Sequence, residues 1–220
     1  MPVHRQASFR CAQLKTNIMR ITFLLFLFFF SVTVIAQSRV EIFLDSTVNQ
    51  LKSQNAIDKN DYEVFSLLES FYNEALQSDE GELSQKTVEK INSYTTSGRI
   101  KNKHLLTLFL MYQDHISQTA AKGRKPNVEY QLACIQRLER EAQSLYVKVP
   151  TIVYIYKAEA LQSAGRMNEA KALVAASLQK VPNSIPLKVY QYLDSKDEDI
   201  RKDLVQNHSK HWMVQQFAIK

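Results

Sequence analysis

Beyond residue 36 the sequence predicts an all-α fold, and three observations carry that prediction. Gly81, Gly98, Gly123 and Gly165, with Pro126, Pro150, Pro182 and Pro186, all fall between periodic segments. Inside a helix Gly costs about 1 kcal/mol and Pro about 3 kcal/mol, so breakers confined to the joints are what a chain of helices requires. Between those joints apolar residues recur at intervals of three and four, with polar residues on the opposite side. Cysteine supplies no framework: Cys11 lies near the start and Cys134 stands alone after it, and roughly 180 residues bury a sufficient core without disulfides.

Ile21 to Ala36, ITFLLFLFFFSVTVIA, stands apart from that pattern. Arg20 precedes the apolar run and Val34-Ile35-Ala36 closes it with small residues at the cleavage positions, the three parts of a secretory signal peptide. The run has 16 residues, among them Thr22, Ser31 and Thr33, short of the roughly 20 that a spanning helix needs. Residues 1–36 are therefore expected to be a signal peptide cleaved after Ala36, leaving a periplasmic or extracellular product with no stable membrane span. Retention as an N-terminal membrane anchor is the alternative, and Met19 offers a more compact start than Met1.

The leader also carries most of the charge imbalance. The chain is +6 overall, but Arg5, Arg10, Lys15 and Arg20 meet no acid before Ala36, which leaves 24 basic and 22 acidic residues after it. Those are interspersed, as in Arg137-Leu138-Glu139-Arg140-Glu141. A nucleic-acid binder gathers Lys and Arg on one face, so no nucleic-acid partner is expected.

Asp61 to Ser78 sets Val64, Phe65, Leu68, Phe71, Tyr72 and Ala75 on one side of a helix. Leu83 to Ser97 repeats the pattern with Val88, Ile91 and Tyr94, and Gly98 is placed as a C-terminal cap. From about Asn102 to Lys122, the run from His104 to Tyr112 leaves little polar surface, so this helix is expected at the centre of the molecule. Asn127, after Pro126, reads as the N-cap of a long helix to about Val147. Cys134, among Leu132, Ile135 and Leu138, reads as a small buried hydrophobe, with an intermolecular disulfide as the lesser alternative. No linker interrupts residues 37–220, which read as one domain.

Thr151 to Ser184 resembles a tetratricopeptide repeat and has that repeat's length of 34 residues. Tyr154 stands for the early aromatic of the first helix, Ala158 for its small packing residue and Leu161 for the next core position. Gly165 marks the turn, Met167 and the Glu169-Ala170 pair open the second helix, Val174 and Ser177 take its later packing places, and Pro182-Asn183 ends the unit. Lys157 departs from the family's usual Leu. Small residues at Ala158, Ala170 and Ala176 independently suit two closely packed antiparallel helices. Single repeats do not bury their apolar faces alone, so the resemblance implies a short α-solenoid of antiparallel helical hairpins. Ile185–Leu193 and Asp197–Asn207 are then a degenerate next unit and His208–Ile219 a capping helix. The longer upstream helices either join this array or close into an irregular bundle.

The resemblance further implies a partner-binding groove lined by first helices, here Ile152, Ile155, Glu159 and Gln162, suited to an extended peptide or a partner helix. The alternative is that another helix of the same chain covers this face. Trp212 and Phe217 either bury themselves in the capping helix or offer a C-terminal docking site. No catalytic residues, metal ligands or cofactor are expected. His208 and His211 are two imidazoles where a zinc site needs three or four ligands, His104 and His115 lie on the apolar helix, and no phosphate loop or nucleophile motif is present. Two functions remain: a non-enzymatic scaffold that binds a protein or peptide as an accessory part of an envelope assembly, and a small-molecule binder in which Tyr62, Tyr72, Tyr94 and Tyr112 line a pocket for a sugar or lipid.

Overall fold

The computed structural model describes residues 39–96 and 100–220. The expected signal peptide, 1–36, and Gly98 lie outside them. The chain divides into Met1–Phe43 and Leu44–Lys220; of the first, the described residues 39–43 are helical. In the second, residues 44–54 form α1, followed by α2 (Glu63–Phe71), a π-helical continuation (Tyr72–Gln77), α3 (Gln85–Thr96), α4 (Lys103–Ala121) and α5 (Val128–Tyr146). Then come α6 (Thr151–Ser163), α7 (Met167–Lys180), α8 (Ile185–Ser195), α9 (Glu198–Asn207) and the short α10 (Trp212–Gln216). No strand occurs among the described residues. The fold is all-α.

From α4 to α9 each helix packs on the next. The joints form where the sequence places them. Asn127 caps α5, its side chain accepting from the Tyr130 N–H at 3.1 Å, and Gly165, at φ 71°, ends the α6–α7 turn in the left-handed region. Ala158 and Ala160 on α6 and Ala170 on α7 are buried, which lets the two helices approach closely. Ala176, expected to share that role, is exposed because it falls on the outer side of α7. The most enclosed helix is α6: Thr151 to Tyr156, Ala158, Ala160 and Leu161 are all buried. It shares the centre with α4, where His104, Leu105, Leu106, Leu108, Phe109 and Tyr112 are buried but Leu110 and Met111 are only partly covered.

The segment that departs from neighbour-on-neighbour packing is α2. It packs on α4 and α6, and its π-helical continuation packs on α8. At each of those three helices a polar group ties it to the first residues. Asn102, buried and at φ 56°, accepts from the Asp58 N–H at 2.9 Å. Its amide donates to the carbonyls of Asp58 and Asp61 and to the Tyr146 hydroxyl at 2.7, 3.1 and 2.9 Å. Glu69 accepts from the Thr151 N–H at 2.6 Å and from its hydroxyl at 3.1 Å. Gln77 accepts from the Ile185 N–H at 2.9 Å and donates to the Asn183 carbonyl at 2.9 Å. Positions 61, 69 and 77 are eight apart in sequence, so one segment meets the starts of α4, α6 and α8 in turn.

The C-terminal helix is shorter than the expected span 208–219. It begins at Trp212, where the His211 side chain accepts from the Met213 N–H. The Trp212 N–H donates to the Asp79 carbonyl at 3.2 Å. Its indole lies against Gly81, where a Cβ would come within 2.8 Å of the ring; this close approach, with φ 70°, is what requires glycine there. Met213, Val214 and Ile219 complete a core with Ile185, Val189 and Leu204.

Candidate functional site

The four residues expected to line a groove on α6 divide into two pairs. Ile152 and Ile155 are each 0% exposed. They are not an open binding surface: α5, α7 and α2 all pack on α6, with Glu69 of α2 bonded to Thr151. Glu159 and Gln162, one and two turns further along, remain partly exposed.

At that end α4, α6 and α8 each contribute a tyrosine. Tyr112 and Tyr156 stack with ring centroids 5.0 Å apart, and the Tyr112 hydroxyl donates to the Tyr156 carbonyl at 3.2 Å. Tyr190, from α8, donates its hydroxyl to Glu159 at 2.5 Å. Burial raises the Glu159 carboxyl above its ordinary range, with the Tyr190 hydrogen bond opposing it. Burial and the nearby Glu159 charge together push the Tyr190 hydroxyl up, so it stays protonated as a donor.

Tyr190 and Gln162 also line an open groove of about 590 Å³ beside α7 and α8. Met167, Val174, Leu193 and Phe217 supply apolar walls, with Met167 46% and Phe217 40% exposed. A Lys171–Asp194 ion pair at 2.5 Å joins two of its lining residues across the helices. Of the two aromatics expected at a C-terminal docking site, Phe217 is on this groove. Trp212 is not: its ring is packed on Gly81 of its own chain. The sequence placed Met167 only as a residue opening the second helix of the repeat; its place on a rim depends on α8 and the C-terminus folding back beside it.

No protein-family model, no curated protein and no solved structure matches the chain. The groove must speak for itself.

Several other titratable residues have internal partners. The His211 ring donates from Nε2 to the Leu76 carbonyl at 2.9 Å, which leaves Nδ1 to accept from the Met213 N–H at 3.2 Å, and burial lowers its pKa. His208 faces Asp203 at 3.9 Å. Among the described residues no group of three or more His, Cys, Asp or Glu is placed to hold a metal ion. His104 lies 3.5 Å from Glu141, which also pairs with Lys52 and, at 3.0 Å, with Arg137. Burial pushes Glu141 up, but hydrogen bonds from His104 and Lys52 and the charges of Lys52 and Arg137 outweigh it and bring the carboxyl down to about 2. Cys134 is buried, and burial pushes its thiol up to about 11, which withholds the thiolate that nucleophilic chemistry needs.

The four tyrosines considered for a small-molecule pocket do not converge. Tyr62 packs on the Tyr146 ring at 4.9 Å, Tyr72 donates to Gln77 at 2.7 Å, Tyr94 donates to Glu63 at 2.8 Å, and Tyr112 is buried against Tyr156. No helix among the described residues is long and apolar enough to cross a membrane.

Proposed function

We propose that this chain is an exported, non-enzymatic binding protein whose α4–α9 region is a tetratricopeptide-like array, and that it captures a peptide or partner helix in the groove beside α7 and α8. The observation that carries the reading is the open apolar groove with Met167 and Phe217 on its wall, formed where one helical hairpin meets the next. The stride supports it: the first residues of α6 and α8, Thr151 and Ile185, are 34 positions apart, the tetratricopeptide period. The leader at 1–36 supports export to the periplasm or beyond, with cleavage after Ala36. A small-molecule ligand is the second reading, favoured by a groove volume within the usual range of such sites.

Two measurements test this. Expression of the full chain with a C-terminal tag in a secreting host, followed by N-terminal mass determination, is expected to give Gln37 as the first residue; an intact Met1 or Met19 start in the membrane fraction supports the anchor instead. Selection from a phage-displayed random dodecapeptide library on the secreted protein is expected to enrich apolar peptides, with enrichment lost in Phe217→Glu. Enrichment unchanged by Phe217→Glu would move the binding surface elsewhere.

A further inference from the structure

We infer that a second concavity, between α5 and α7 over Tyr154 of α6, is a binding site for a phosphate-bearing small molecule. It shares no lining residue with the groove beside α7 and α8 and stands independently of what that groove holds. The hollow measures about 430 Å³, and two cations from different helices open onto it. Arg140 comes from α5, where Ser144, also on the wall, lies one turn further on the same side. Lys180 comes from the last turn of α7 and is turned inward. Its ammonium lies 5.0 Å from the centre of the Tyr154 ring and 3.5 Å from the Tyr154 hydroxyl, and with three N–H donors it keeps others for a ligand.

Among the described residues neither Arg140 nor Lys180 has a carboxylate within ion-pair distance. The one acid on the wall, Glu139, is held by Lys157 at 2.6 Å, so the charges of Arg140 and Lys180 stand uncompensated. An unpaired surface cation is ordinary by itself. Two that face one concavity reinforce each other's field and draw an anion into it. The other hollows differ: Lys171 in the groove beside α7 and α8 is neutralised by Asp194, and the hollow after α2 is lined by Glu74, Glu80 and Glu82. The donor set fits phosphate in particular. A guanidinium presents a planar fork of N–H groups and an ammonium a point charge, with the Ser144 hydroxyl beside them. A phosphate ester answers with about −1.5 to −2 charges and three acceptor oxygens, where a carboxylate has one charge and two oxygens. Val149 and Tyr154 supply apolar surface for the organic remainder.

Phenyl phosphate and benzoate, titrated into the protein by calorimetry at about pH 7.5 and constant ionic strength, test this, since the ester is then a dianion and benzoate a monoanion. Phenyl phosphate is expected to bind with a Kd of about 1 mM or below, and benzoate at least about ten-fold more weakly. Arg140→Gln and Lys180→Gln change exposed side chains, so both should melt as the wild type does while each weakens phenyl phosphate about ten-fold. Lys125→Gln removes the same charge from the exposed α4–α5 turn and should leave the affinity unchanged, which separates a site from the general attraction of cations for an anion. Benzoate binding as tightly as phenyl phosphate, equal losses in all three variants, or no binding of phenyl phosphate at about 10 mM would overturn the inference.

Discussion

The helices that begin at Thr151 and Ile185, 34 positions apart, are held differently. In α6, Ala158 and Ala160 are buried; the corresponding places in α8 are Tyr192, partly covered, and Asp194, exposed. Small residues let α5, α7 and α2 approach α6 closely, whereas α8 carries bulkier side chains at those two places. Their starts differ too. Pro150 gives α6 no side-chain cap, so the Thr151 N–H depends on Glu69 from a distant segment; Ser184 caps α8 locally and Gln77 adds a second contact. The inner helix depends on long-range fit, and the outer one on local capping and the C-terminal core.

The largest test of that contrast is Ile155→Glu, which would place an unpaired charge at a fully enclosed site of α6. It is expected to cost more than about 4 kcal/mol and to abolish the cooperative thermal transition. Phe217→Glu, on the groove wall, should shift stability by less than about 0.5 kcal/mol in the same melts. Next, Glu69→Ala is expected to cost about 2 kcal/mol in urea unfolding, since a charged acceptor at a helix start is lost with no substitute. Gln77→Ala should cost about 1 kcal/mol, because Ser184 still caps α8. Equal costs would mean that the local cap contributes nothing.

The smallest effect is a pH dependence at the C-terminal end. The His211 pKa is lowered by burial, so the unfolded chain binds a proton more readily than the folded one. Its contribution is complete above the ordinary value of 6.5 and is lost as pH falls below that towards the folded value. The Leu76 carbonyl and Asp79 favour the charged ring, while His208 opposes it. Trp212 fluorescence, followed from pH 8 to 5, should report loosening that His211→Asn flattens.

Helix positions were largely legible in the sequence because breakers and caps are local: Asn127 and Gly165 sit where the structure uses them. The site was legible only in part. Glu159, Gln162 and Phe217 remain accessible, at least partly, but Ile152 and Ile155 are buried in a helix packed by α5, α7 and the distant α2, and no periodicity within α6 encodes what lies over it. The π-helical turn at 72–77 was equally hidden, since Tyr72 and Ala75 fit an ordinary helical spacing. Met167 and Leu193 reach the groove only through the approach of α7 to α8.

Arrays of stacked hairpins ordinarily exchange contacts only with the next unit, so they fray from the ends and unfold piecewise. If the proposed array reading holds, the segment from Asp61 to Gln77 works against that. By bonding to the starts of α4, α6 and α8 it acts as a strut across three helices. Opening any one of them strains its hold on the other two, so amide protection in α4, α6 and α8 is expected to rise and fall together in hydrogen exchange.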